Sequence, residues 1–254
     1  MLAKLLNRLG AWISPCVLCL TIHNNAQPLC AQCIENLPWI KRACIGCGLP
    51  LVEGKVGNRC GPCLIMPLPF DAVKTLFEYK WPCDQFIAQI KFKQKLEFVN
   101  VLAELMASQF GIDPNTYPTC LIPVPLHPTR LKERGFNQAH LLAKVIGKKL
   151  NIPVAWDYVT KIKKTQTQSS LSLDKRLANL KDVFKVTPHF PEKFKLKVAI
   201  IDDVMTSGET VSSLTMSLKA AGVHRVEVWC CCRTLKPQIS KRSPLLGPIL
   251  KEKR

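Results

Sequence analysis

The apolar positions of this chain change period along its length. Val198, Ala199, Ile200 and Ile201 are four consecutive apolar residues, the mark of a strand buried on both faces, since a half-buried strand would alternate. Cys120 to Val124 reads the same way, and Ala72 to Tyr79, Val154 to Val159 and Arg225 to Cys231 read as further strands. Between them the spacing turns helical. Asp84 to Phe110 carries Phe86, Ile87, Ile90, Leu96, Val99, Leu102, Leu105 and Met106, and a second helix runs from near Asn137 through Leu141, Leu142, Val145, Ile146 and Leu150. A third starts at about Glu209, continues from Val211 to Ala221 and stops at Gly222. Strands alternating with helices predict an α/β fold with a mostly parallel sheet.

The residues after Val198–Ile201 carry the chemistry. Asp202 and Asp203 fall at the carboxyl end of that strand, where open α/β sheets bind ligands. Met205, Thr206, Ser207, Gly208, Glu209 and Thr210 follow and lead into a helix. Backbone N–H groups, hydroxyls and the positive end of the helix dipole suit a phosphate. The carboxylates repel an anion, so they must meet another part of the same ligand: sugar hydroxyls or a hydrated cation such as Mg2+. Together these groups describe a ribose 5-phosphate. The plainer reading is a strand–turn–helix in which one aspartate caps the helix, but a cap needs one such residue and this stretch supplies a full set.

Eight of the 13 cysteines lie before residue 64, as Cys16/Cys19, Cys30/Cys33, Cys44/Cys47 and Cys60/Cys63. Each C-x-x-C turn presents two thiolates to one cation, and two turns complete a tetrahedral four-cysteine zinc site with no open position. Such sites are structural, supplying folding energy to a segment too short for its own core. Sequential pairing gives two small ribbons, and first-with-third pairing gives a cross-braced unit; spacing does not decide between them. Metal rather than a disulfide framework implies a reducing compartment. The expected organisation is a zinc-ribbon region over 1–66, an enzyme-like domain over 67–235 and a basic tail over 236–254. Met1 to Ile13 reads as a short amphipathic helix packed on its own domain, and the uncharged stretch from Leu9 to Ile34 is too broken by Pro15, Asn24, Asn25, Gln27 and Pro28 for a signal peptide or a transmembrane helix.

Charge adds a partner class. The chain holds 36 Lys and Arg against 18 Asp and Glu, a formal +18, which points to polyanions: nucleic acid, phosphorylated ligands or an anionic membrane face. Arg130, Lys132 and Arg134 gather before the second helix as a second anion site. Lys91, Lys93 and Lys95 crowd one stretch, as a solvated face or a polyanion contact. Thr165, Gln168, Ser169 and Arg176 sit in a polar, hydroxyl-rich segment over 161–179 that suits a lid. The tryptophans are scattered, without the aromatic platform that single-strand binders use. Cys120, Cys230, Cys231 and Cys232 lack the paired spacing of a metal site and read as core.

Val198 to Thr210 resembles the phosphoribosyl pyrophosphate (PRPP) motif of type I phosphoribosyltransferases. That resemblance implies that Asp202 and Asp203 contact the ribose hydroxyls, Met205 to Thr210 hold the 5-phosphate, and Leu126 to Arg134 take the pyrophosphate, with Arg130 and Arg134 foremost and Lys132 third. The run Arg134-Gly-Phe-Asn-Gln138 after a proline-rich strand exit, with Cys-rich ribbons ahead and Thr165-x-x-Gln168-Ser169 behind, is similar to the ComF/GntX family. Membership implies a phosphoribosyltransferase-like fold, structural zinc, Mg2+ with PRPP, and a role in DNA uptake during natural transformation. It further implies a cytoplasmic factor near the inner membrane that handles incoming single-stranded DNA alongside the uptake machinery. The alternative is an active phosphoribosyltransferase, joining ribose 5-phosphate from PRPP to a nitrogen acceptor, with Arg130 and Arg134 stabilising the departing pyrophosphate.

Overall fold

The computed structural model describes residues 14–24, 28–52, 57–163 and 183–235. The expected N-terminal helix, the lid residues Thr165, Gln168, Ser169 and Arg176, and the tail lie outside them. Among the described residues the strands are β1 (Ser14–Pro15), β2 (Ile22–His23), β3 (Ala72–Glu78), β4 (Cys120–Pro123), β5 (Val159–Lys161), β6 (Phe184–Val186), β7 (Lys197–Met205) and β8 (Arg225–Arg233). The helices are α1 (Ala31–Glu35), α2 (Gly61–Ile65), α3 (Cys83–Lys93), α4 (Glu97–Phe110), α5 (Pro128–Arg134), α6 (Gln138–Leu150) and α7 (Glu209–Ala220).

The main sheet has the order β3-β8-β7-β4, with every neighbouring pair parallel. β7 is therefore central and needs apolar residues on both faces: Val198 to Ile201 are all fully buried. Alternation along the strand splits them between two cores. Ala199 and Ile201 join Leu121, Trp229 and Cys231 under Leu102 and Met106 of α4 and Leu142 and Ile146 of α6. Val198 and Ile200 join Ile122, Val228 and Cys230 under Leu214 and Leu218 of α7 and the rings of Phe190 and Phe194. Cys120, Cys230, Cys231 and Cys232 are fully buried, as their spacing implied.

Two element boundaries differ from expectation. The single helical stretch over Asp84–Phe110 is two helices, because Gln94 takes a left-handed conformation (φ 53°) that caps α3 and lets α4 leave in a new direction. The strand expected over Val154–Val159 is divided. Pro153–Ala155 adds to the outer edge of β4, with Leu121 donating to the Pro153 carbonyl (2.8 Å) and Ala155 to that of Leu121 (2.8 Å), whereas Val159–Lys161 pairs antiparallel with β6.

The cysteine-rich segment closes the other side of the sheet. Ile40 donates to Leu76 (2.7 Å), Glu78 to Pro38 (2.9 Å) and Val73 to Ile45 (2.8 Å), so the backbone groups on the outer edge of β3 are paired and its edge is covered. Leu29 and Leu37 enter the same core as β3, α3 and α4. Gly48 makes this close approach possible: its φ is +72°, and a Cβ there would lie 2.9 Å from Val73 Cγ1. Gly48→Ala should cost about 1–3 kcal/mol of stability in urea unfolding. Gly61→Ala, where a Cβ meets nothing within 4 Å at the start of α2, should be neutral or stabilising by up to about 1 kcal/mol.

Candidate phosphosugar site and metal centres

β7 outruns its neighbour β4. The β4 pairing ends at Pro123 opposite Ile201, whereas β8 accompanies β7 as far as Met205 opposite Arg233. Asp202 and Asp203 thus sit beyond the end of β4, in the crevice where that strand has turned away. Their side chains stay close enough to interact directly, one carboxyl hydrogen-bonding the other. Asp203 is buried at 5% exposure and forms a 2.6 Å ion pair with Lys91 Nζ from the last turn of α3. Asp202 is half-buried and lies within electrostatic reach of Lys161 of β5. Each carboxylate also accepts from the next backbone N–H, Asp203 to Asp202 Oδ1 (2.9 Å) and Val204 to Asp203 Oδ1 (3.0 Å), which fixes both orientations.

These environments separate the two acids. Burial, then the neighbouring Asp203 carboxylate, raise the Asp202 carboxyl to about 8, with Lys91 pulling the other way. Asp203 already has its cation in Lys91. Asp202 is therefore the carboxylate that gains most from an incoming hydroxyl donor or cation. A hydrated Mg2+, which binds through one or two carboxylates and keeps its waters, suits Asp202 as an oxygen donor.

The hydroxyl loop follows directly. Thr206 is exposed, Ser207, Glu209 and Thr210 are half-buried, and Met205 is buried beneath the turn. Gly208 is the N-cap of α7 at φ +82° and brings no capping side chain, so the first turn of α7 keeps N–H groups for an outside acceptor. Ser207 Oγ accepts weakly from Glu209 N–H at 3.4 Å. The acid pair and the turn thus occupy one strand–loop–helix junction, with Thr206 open to solvent and Gly208 buried against Met205.

The basic segment is more selective than expected. Leu126 to Arg134 is not an open loop: Pro128–Arg134 is the short helix α5, capped by His127, whose Nδ1 accepts from Thr129 N–H (3.3 Å). Its geometry divides the three cations. Arg134 is half-buried and donates to Gln138 Oε1 at 2.6 Å; burial and Arg130 lower its pKa while Asp203 raises it, so Asp203 is within electrostatic reach. Arg130 is exposed, 3.6 Å from Glu133, and Lys132 is exposed as well.

Two contributors escaped the sequence reading in this role. Lys91 was grouped with its solvated neighbours but is the partner of Asp203. Arg233, at the end of β8, is buried and donates to the carbonyls of Met205 (3.0 Å), Thr206 and Thr234 (3.0 Å) and, through Nε, to that of Cys47 (2.8 Å). It pins the start of the hydroxyl loop to the second cysteine unit. An arginine closing the buried run Val-Trp-Cys-Cys-Cys was the available signal.

The cysteines group sequentially: Cys16, Cys19, Cys30 and Cys33 in one cluster, Cys44, Cys47, Cys60 and Cys63 in the other, each with its ligand atoms within 4.8 Å of one another. Cys19–Cys30 and Cys47–Cys60 Sγ separations are 3.7 and 3.6 Å, against about 3.8 Å across a tetrahedron with Zn–S of about 2.3 Å. Backbone N–H groups point at the sulfurs, Cys30 to Cys16 at 3.4 Å and Cys60 to Cys44 at 3.2 Å, as thiolate ligands require. Both clusters could hold a structural metal.

Unfolding the purified protein in the presence of a chromophoric chelator should release close to two zinc ions per chain, and release of none would remove the metal assignment. A folded-state pKa raised on Asp202 stabilises the protein fully below the ordinary carboxylate value, and this contribution is lost as pH rises towards about 8. Between pH 4.5 and 8.5 the urea midpoint of the parent chain should therefore fall relative to that of Asp202→Asn as pH rises, because the pH dependence of zinc binding is common to both.

No family model matches the chain. It is 34% identical over 211 residues to the DNA utilization protein YhgH of Shigella flexneri, covering 82% of this chain and 91% of that one. It is 31% identical over 219 residues to competence protein F of Haemophilus influenzae, covering 84% and 93%. The adenine phosphoribosyltransferase of Leishmania donovani superposes over 64% of this chain and 77% of that one with 12% identity and a TM-score of 0.37, too loosely to transfer any position. With a third of the residues shared along nine-tenths of a relative, the chain belongs to the ComF/GntX family, that of these DNA utilization and competence proteins.

Proposed function

We propose that this protein binds PRPP, or a closely related phosphosugar, at the β7–α7 junction and acts in the handling of incoming single-stranded DNA during uptake and utilisation, in the cytoplasm near the membrane. The observation that carries the ligand reading is the shared junction: Asp202 and Asp203 at the crevice end of β7, and the uncapped Ser207–Gly208 turn immediately after them. In this reading the ribose hydroxyls donate to Asp202 and Asp203, the 5-phosphate accepts from the N–H groups and hydroxyls of Met205 to Thr210, and Arg134 meets the pyrophosphate. Mg2+ would enter with PRPP and neutralise its charge, held on the protein side by Asp202.

The names of the relatives support the DNA side: DNA utilization protein for several enterobacterial chains and competence protein for those of Haemophilus influenzae and Bacillus subtilis. So does the formal charge of +18. No described helix is long and apolar enough to cross a membrane, so membrane proximity rests on partners or a basic surface. Transferase chemistry is the second reading, favoured by Arg134 beside Asp203, where a departing pyrophosphate would be stabilised.

Calorimetric titration of the zinc-loaded protein with PRPP and Mg2+ should show one saturable site, lost in Asp202→Ala/Asp203→Ala. A labelled single strand should bind with a strong salt dependence that this double substitution leaves in place. No heat with PRPP would overturn the phosphosugar reading; acceptor-dependent pyrophosphate release would establish the transferase.

A further inference from the structure

The end of α3 combines features that no other described segment combines. From Gln85 to Leu96 the chain has no acidic residue, and it ends in Lys91-Phe-Lys-Gln-Lys-Leu96. α3 spends its apolar face, Cys83, Phe86, Ile87 and Ile90, on the core. Phe92 is left 77% exposed, and Lys93, Gln94, Lys95 and Leu96 are exposed beside it. One exposed ring is ordinary on a protein surface; a ring bracketed by lysines, one residue from the lysine paired with Asp203, is not. Lys91, one residue before Phe92, is anchored on Asp203 at 2.6 Å, so the strip begins where the acid pair ends. The left-handed Gln94, whose N–H is held by the Gln89 carbonyl, turns the chain outward there and separates Lys93 from Lys95.

We infer that Lys91–Leu96 is a contact strip for single-stranded nucleic acid, with a base stacked on Phe92 and backbone phosphates on Lys93 and Lys95. The inference rests on the single-strand reading above and gives it a location. Charge complementarity supplies the affinity, and the π face of any base fits the ring without sequence preference. An anionic membrane is the weaker fit. Interfacial binding needs a continuous apolar helical face, and here the helix stops at Lys93, leaving Phe92 and Leu96 on either side of a turn.

The test is fluorescence anisotropy with a labelled 20-residue oligothymidylate on the full-length, zinc-loaded protein, at several salt concentrations. Phe92→Ala should weaken binding about tenfold, the loss of one base–aromatic stack. Lys93→Gln/Lys95→Gln should weaken it and reduce the slope of log affinity against log salt by about 1.4, two phosphate contacts at about 0.7 each. Lys148→Gln/Lys149→Gln removes the same charge from the exposed side of α6 and should leave the affinity within about twofold. All five substituted positions are exposed, and circular dichroism checks each fold. If the α6 pair matches the α3 pair and Phe92→Ala has no effect, binding is diffuse and the strip is overturned while the single-strand reading survives. If the parent chain does not bind the oligonucleotide at all, both fall. If Phe92→Ala instead abolishes binding to phosphatidylglycerol vesicles and spares the oligonucleotide, the strip is a membrane contact and the inference is wrong.

Discussion

Two adjacent carboxylates at the end of a central parallel strand are a costly arrangement. Like charges one residue apart, partly withdrawn from water, cannot both ionise without help. Contact between the two carboxyls lets one keep its proton, which supplies the first part of that help. Lys91 from α3 supplies the rest, paired with Asp203 at 2.6 Å and acting on Asp202 as well, with Lys161 of β5 in electrostatic range of Asp202. The acid pair therefore depends on α3 reaching the end of β7.

The asymmetry between the two acids follows from the same packing. Asp203 has a counter-charge in Lys91 and a backbone donor on Oδ1. Asp202 has the neighbour's repulsion and burial against it, and its carboxyl is raised in consequence. A ligand that donates hydroxyl hydrogens or carries a cation relieves Asp202 first.

Much of this was legible from residues alone. The unbroken run Val198–Ile201 can only be a doubly covered strand, and it fixed where Asp202 and Asp203 had to fall. C-x-x-C spacing announced two four-thiolate clusters, though only the fold could say that neighbours in sequence pair. What escaped was whatever depends on long-range placement. Lys91 sits more than a hundred residues from Asp203, and nothing in Lys-Phe-Lys-Gln-Lys distinguishes the lysine that reaches a carboxylate from those that reach water. The break at Gln94 was hidden because the apolar spacing continues through it and only the backbone reverses. Arg130 and Arg134 lie one helical turn apart and looked equivalent; at the end of α5 Arg134 is half-buried and held by Gln138, whereas Arg130 is exposed beside Glu133.

The cysteine units are not an appendage added to a finished sheet. They pair with the outer edge of β3, fill part of the core beside it and accept from Arg233 through the Cys47 carbonyl. That guanidinium spends its other donors on Met205, Thr206 and Thr234, so one buried cation holds three chain segments by their carbonyl oxygens. A buried arginine cannot shed its charge and must keep its acceptors. Displacing the second ribbon removes one of them and leaves the remaining carbonyls to hold the group alone. The geometry of the hydroxyl loop and the integrity of the second four-cysteine cluster are consequently parts of one hydrogen-bonded assembly, with β8 as the rigid element between them.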